Sequence, residues 1–180
     1  MKTSIVYVAM AADLIHPGHI NILKIARDYA DKIKGEVVLG LLTDSAIASY
    51  KRLPYMDYDK RRIVMENLRL VDRIAPQDTL SYEHNIRKFK PRYVIHGDDW
   101  KSGVQSSVRQ NVIDTLQELG CVERIEPSYT EGISSTQLNA DARAIGIATN
   151  ARLSLLRRLI DAKKPLRILE AHSAISALIV

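Results

Sequence analysis

Short runs rich in β-branched and apolar residues recur along this chain, separated by amphipathic stretches, and that alternation restricts the fold more than any other feature. The runs are SIVYVA (Ser4 to Ala9), EVVLGLL (Glu36 to Leu42), VDRIA (Val71 to Ala75), RYVIHG (Arg92 to Gly97) and CVERIE (Cys121 to Glu126). Between them, residues 17–34, 58–69, 81–88 and 106–119 carry apolar side chains at helical spacing, as with Ile20, Leu23, Ala26, Ala30 and Ile33. A strand that leads through a helix into another strand returns parallel to the first. The expected architecture is therefore α/β: a doubly wound, mostly parallel sheet with flanking helices, followed by a C-terminal helical tail. Ligands of such sheets bind at the carboxyl ends of the strands, beside the point where the strand order reverses.

With 180 residues, 46% of them hydrophobic, the chain is long enough for one domain and an appendage. A single cysteine, Cys121, leaves no internal disulfide framework and no Cys-based zinc site. No apolar run reaches the roughly 18 residues of a membrane span. These features predict a cytoplasmic protein without membrane association. The net charge of +5 comes almost wholly from the end of the chain: six Lys/Arg against two acidic residues from position 151 onward. No RNA-binding motif accompanies that basic tail, so no nucleic-acid partner is expected.

Three motifs fall where the ligand edge should be. DLIHPGHINIL (Asp13 to Leu23) follows the first strand. Pro17 suits the first position of a helix and Gly18 permits close backbone approach, while His16 and His19 share one side of the first turn. A helix N-terminus is already an anion site, and two imidazole donors suit it to phosphate. A helix cap with incidental histidines is the competing explanation. YTEGISSTQL (Tyr129 to Leu138) puts Ser134, Ser135 and Thr136 at the start of a helix expected over 137–144, where they cap it or bind further phosphate oxygens. HGDDW (His96 to Trp100) ends a strand with Asp98 and Asp99, placed for a metal, a ribose or an ordinary turn.

DLIHPGH, HGDDW and TEGISST, in this order and at these separations, resemble the motifs of the cytidylyltransferases in the nucleotidyltransferase superfamily, especially those acting on glycerol 3-phosphate, phosphocholine and phosphoethanolamine. The likeness spans residues 3–142. It implies a Rossmann-like fold that binds CTP with Mg²⁺ as cofactor, an acceptor oxyanion attacking the α-phosphorus, and pyrophosphate leaving without a covalent intermediate. On this resemblance His16 and His19 stabilise the transition state, and Asp13 orients the loop or helps hold the metal. Lys51, Arg52, Arg61 and Arg69 are the candidate phosphate-binding cations, with Lys51 and Arg61 as catalytic candidates. Ala9, Met10, Ala11 and Gly18 would approach the nucleotide. Gly97, Asp98, Asp99 and Trp100 would line its pocket, and Tyr129, Thr130, Gly132 and Ile133 to Thr136 would hold base, ribose or pyrophosphate.

The chain departs from the family pattern twice. It reads Met10-Ala11-Ala12-Asp13 where relatives have Gly-Thr-Phe-Asp or Gly-Ser-Phe-Asp, and Tyr129 where they carry Arg. Further on, LSLLRRLIDAKKPLRILEAHSAISALIV (Leu153 to Val180) resembles the opening of a phosphoenolpyruvate mutase. That divides the chain into a nucleotide-binding domain over 1–145 and, over 146–180, a linker with the start of a mutase-like domain. It implies a bifunctional protein of phosphonate biosynthesis, with 2-hydroxyethylphosphonate or 2-aminoethylphosphonate as acceptor and nothing in the tail contributing to the transfer; a helical tail packing on the domain or on a second subunit is the competing explanation. A phosphate monoester acceptor such as glycerol 3-phosphate is the alternative, as is a regulatory domain that binds nucleotide without catalysis. The apolar end, AISALIV, tends to seek a neighbour, and the resemblance to the cytidylyltransferases implies a homodimer, with the tail either disordered or packed against a subunit.

Overall fold

The computed structural model describes residues 4–101, 106–120, 123–128, 138 and 149–162. Five strands form one sheet: β1 (Ile5–Met10), β2 (Glu36–Leu42), β3 (Arg73–Gln77), β4 (Tyr93–Ile95) and β5 (Glu123–Ile125). Their spatial order is β3-β2-β1-β4-β5, and every pairing is parallel. Among the described residues the helices are α1 (Pro17–Lys32), α2 (Asp44–Ala48), α3 (Tyr58–Glu66), α4 (Glu83–Phe89), α5 (Ser106–Glu118) and α6 (Thr149–Ala162), with a 3-10 turn at Asp98–Lys101. The expected Rossmann-like, doubly wound sheet is the observed one.

Alternation along the strands builds two cores. Val6 and Val8 of β1 and Val37, Leu39 and Leu41 of β2 pack with Leu23, Ala26 and Ala30 of α1 and Met65 of α3. Tyr7, Ala9, Val38 and Leu42 face the other way, against Ala46 and Ile47 of α2, Ile86 of α4, and Val112 and Leu116 of α5. Both faces of β1 and β2 are thus covered, which is why these strands read as continuous apolar runs rather than alternating ones. One polar network crosses the second core. The Tyr7 hydroxyl donates to Gln77 Oε1 and accepts from Asn85 Nδ2, tying β1, β3 and α4 together. A Cβ at position 40 would collide with that hydroxyl, so β2 carries Gly40 there.

Several boundaries moved for identifiable reasons. β3 begins two residues later than its apolar run, because Asp72 is occupied in receiving the Val37 N–H and Arg27. It then continues through Pro76, which an edge strand tolerates. The short α2 was not foreseen, although Thr43 caps it by accepting the Ala46 N–H. Of the helix expected over 137–144, only Leu138 lies within the described residues.

Candidate active site

The strand order reverses around β1, whose neighbours β2 and β4 were reached in opposite directions. The segments leaving the carboxyl ends of β1, β2 and β4 therefore share one edge of the sheet. Asp13 to His19, Lys51 to Asp57 and Gly97 to Lys101 all lie on those segments.

From β1 the chain turns at Ala12, a buried residue with φ of 51°. That left-handed value costs a residue with a Cβ about 1 kcal/mol. The turn brings Asp13 inward, 6% exposed, where Oδ1 accepts the N–H groups of Tyr55 (2.7 Å) and Met56 (3.3 Å). Oδ2 pairs with Arg52 at 2.9 Å. Both oxygens are thus committed to the loop after α2. These contacts fit the orienting role expected of Asp13. Among the described residues no group of three or more His, Cys, Asp or Glu is placed to hold a metal ion.

α1 begins with a reciprocal cap made from two imidazoles. His16, the N-cap, accepts the Gly18 N–H on Nδ1 at 3.2 Å, and His19 Nδ1 accepts the His16 N–H at 3.4 Å. The rings stand 4.0 Å apart, centroid to centroid. Since each Nδ1 accepts, each neutral ring carries its proton on Nε2 and keeps that donor for a ligand. Cap and anion donor, set against each other from sequence alone, are therefore compatible functions of the same rings. Burial lowers both pKa values. That of His19 falls to about 4, with His16 and Lys51 adding to the effect of burial.

This depression has a measurable consequence. Between pH 6.5 and 4 the unfolded chain binds a proton at His19 that the folded chain refuses, so stability is full above pH 6.5 and declines as the pH falls. The loss attributable to His19 is at most about 3 kcal/mol. Urea unfolding of the wild type and His19→Gln at pH 7 and pH 4.5 measures it: the wild type should lose more than the variant over that interval.

The cations divide by location. Lys51 is exposed, with Nζ over the Tyr50 ring at 5.2 Å. Desolvation of its ammonium, followed by the charge of Arg52, holds its pKa below the ordinary lysine value. Arg52 lies over the Tyr55 ring and bonds the Leu53 carbonyl at 2.6 Å. Around one carboxylate, Asp13, the edge thus collects Lys51, Arg52 and two imidazoles, an excess of donors suited to an anion.

Three expected site residues need correction. Arg61 is fully buried, and its guanidinium is taken up by Ala11 O (2.6 Å), Leu42 O (2.8 Å), Met56 O (3.1 Å) and Asp44 Oδ1 (2.7 Å). It fastens the ends of β1 and β2 to the loop and is a positioning residue. Arg69 follows α3 just before β3 and so lies at the amino edge of the sheet, away from the motifs. A crossover helix starts at the carboxyl edge and delivers its end to the opposite one. Trp100 is completely buried, stacked on His96 at 4.1 Å and donating to Glu126 Oε1 at 2.8 Å. It anchors the turn after β4.

That anchor has its own charge support. Burial raises the pKa of Glu126, but hydrogen bonds from Arg109 and Trp100 and the charge of Arg124 outweigh it, leaving a value of about 2. Asp98 sits half-buried, its N–H on the Pro127 carbonyl and its carboxylate 3.9 Å from Lys101. The Gly97 carbonyl accepts a hydrogen bond from His96 Nδ1–H at 2.7 Å, and Asp99 continues the turn. Ala9 and Met10 end β1, and the Ala11 carbonyl is consumed by Arg61. Tyr129, Thr130, Gly132, Ile133, Ser134, Ser135 and Thr136 lie outside the described residues.

Sequence reasoning missed two residues here, Asp44 and Arg158. Asp44 Oδ1 holds Arg61, and its Oδ2 receives Arg158 of α6 at 3.3 Å. Arg158 also donates to the Tyr55 carbonyl at 2.8 Å, so the segment beyond residue 146 touches the site's supporting loop. A capping Thr43 after an apolar strand was a readable signal for Asp44. Nothing comparable marked Arg158.

The chain is 30% identical over 130 residues to glycerol-3-phosphate cytidylyltransferase of Staphylococcus aureus, covering 72% of this chain and 87% of that protein. It is 30% identical over 135 residues to ethanolamine-phosphate cytidylyltransferase of Dictyostelium discoideum, covering 74% of this chain and 35% of that one. The crystal structure of a lipopolysaccharide core biosynthesis protein from Thermoplasma volcanium superposes with a TM-score of 0.60 at 22% identity, over 71% of this chain and 98% of that chain, which is a likeness of fold. Residues 11–140, from the turn after β1 to beyond β5, match the cytidylyltransferase-like family, and the chain belongs to it.

Proposed function

We propose that this enzyme transfers CMP from CTP to a small phosphonate or phosphate acceptor. The observation that carries the reading is the paired imidazole cap of α1, set beside the Lys51–Arg52 loop on the carboxyl edge of the sheet. In the reaction an acceptor oxyanion forms a bond to the α-phosphorus, the bond from that phosphorus to the bridging oxygen breaks, and pyrophosphate carries away the electron pair. Two Nε2–H donors, a helix N-terminus and two cations meet the charge that grows on the phosphoryl oxygens. Lys51 and Arg52 are assigned to the triphosphate. Asp98 and Asp99 are assigned to the nucleoside side, and Tyr129, Thr130 and Gly132 to Thr136 to the base and leaving group.

Magnesium fits this site as part of its substrate. Asp13 has both oxygens engaged, so the ion is expected to arrive complexed to the triphosphate. Chelation should therefore abolish turnover, while calorimetry with Mg²⁺ and no nucleotide should register no tight site. Tight binding of Mg²⁺ to the free protein would contradict this.

The acceptor is the finer question. The mutase-like sequence after Leu153 and the Tyr129 substitution support a phosphonate, whose CH₂ replaces the bridging ester oxygen and leaves no acceptor for an Arg to serve. The similarity to glycerol-3-phosphate cytidylyltransferases over most of their length supports glycerol 3-phosphate. Pyrophosphate release with CTP and a panel of acceptors decides. For 2-hydroxyethylphosphonate or 2-aminoethylphosphonate we expect kcat/KM at least about tenfold above the phosphate esters, or about 1.4 kcal/mol in transition-state binding. A preference for glycerol 3-phosphate selects the second reading, and CTP binding without turnover on any acceptor selects a regulatory domain. We further propose a cytoplasmic homodimer. The exposed Ile63 and Val64 of α3 and Leu156 and Ile160 of α6 support the assembly.

A further inference from the structure

The dipeptide Tyr55-Met56 is held at all four of its backbone polar groups by charged side chains. Asp13 accepts both N–H groups, Arg61 holds the Met56 carbonyl, and Arg158 holds the Tyr55 carbonyl. The three clamping residues come from the β1 turn, α3 and α6. Asp44 then joins the two arginines, with one carboxylate oxygen on each. Two further observations single out Arg158. Its helix packs against α2, immediately before the Lys51–Arg52 loop. It also lies beyond residues 11–140, outside the segment that matches the family.

We propose that Arg158 is a positioning residue for nucleotide binding: through the Tyr55 carbonyl and Asp44 it fixes the loop that presents Lys51 and Arg52. This rests on the CMP-transfer reading above. Arg158 itself need not touch the substrate. Without it, Asp44 retains Arg61 and the fold retains its buried anchor, but one side of the 55–56 peptide is released. The cations four and three residues earlier then sample more conformations, and ordering them draws on the binding energy of the triphosphate. A helix outside the shared domain would in this way govern affinity for the nucleotide inside it.

The test compares wild type, Arg158→Ala and Arg158→Lys in the full chain with two readouts. Hydrogen exchange at the Tyr55 and Met56 amides should accelerate about fivefold or more in Arg158→Ala, while exchange in β1 and β2 stays at its wild-type rate. KM for CTP should rise about five- to tenfold with kcat within about threefold of wild type, and Arg158→Lys, which keeps a charge and one donor, should recover most of the loss. Unchanged exchange at 55 and 56 would overturn the proposal, as would a KM that does not move, or a loss confined to kcat. Should the wild type show no activity or affinity with CTP, the CMP-transfer reading fails, and the exchange comparison still decides whether Arg158 fixes the loop.

Discussion

Replacing His16 or His19 by alanine is expected to lower kcat by about 10²–10³ while CTP affinity weakens less, the pattern of groups whose interactions strengthen as charge builds in the transition state. The geometry adds a distinction between the two. His16 sits at the N-cap and binds the Gly18 N–H, so its removal also frees an amide of the first turn. His19 receives the His16 N–H and takes the stronger pKa depression, so its removal changes the donor set more than the cap. Asparagine at position 16 can keep a cap without offering an imidazole Nε2–H. His16→Asn should therefore match His16→Ala in kcat yet regain the cap's share of stability, about 1 kcal/mol. Stopped turnover assays and urea titrations on the same variants separate the two contributions. Near wild-type kcat in both alanine variants would remove the imidazoles from the chemistry.

Arg61→Ala should cost about 3–5 kcal/mol of stability. The guanidinium is fully buried and engages three backbone carbonyls and Asp44. Deleting it strands those acceptors away from water at the point where β1, β2 and the loop meet. Arg61→Lys should recover little, because one ammonium on a flexible stem cannot span carbonyls of Ala11, Leu42 and Met56 at once. Chemical denaturation of both variants provides the measurement. Arg61→Lys within about 1 kcal/mol of wild type would show that charge, rather than the forked geometry, is what the buried site requires.

These two cases show which parts of the molecule a sequence reveals. The parallel doubly wound sheet was legible because period and composition act locally: β1 and β2 advertise burial on both faces, and α1 carries a capped start and an apolar stripe. The position of the imidazoles was legible for the same reason, since a helix begins where Pro17 follows a capping residue. Arg61 was misread because nothing local distinguishes an arginine that meets a ligand from one that meets three carbonyls. The difference lies in Ala11, Leu42 and Met56 arriving from 50, 19 and 5 residues away. Arg69 was misplaced because charge and proximity in sequence say nothing of which sheet edge a helix ends on. Trp100 was assigned to the pocket by motif, whereas its burial depends on Glu126 from a different strand end.

The paired cap of α1 also makes the proton and the helix rivals for one lone pair. An imidazole that takes up a proton on Nδ1 can no longer receive an amide, so charging His16 or His19 both undoes a hydrogen bond of the first turn and changes the ring's charge toward the substrate. On the proposed role of the two rings, loss of turnover in acid and fraying of the start of α1 are a single event seen by two observers. An enzyme built this way has no acidic state in which the site is intact but merely wrongly charged.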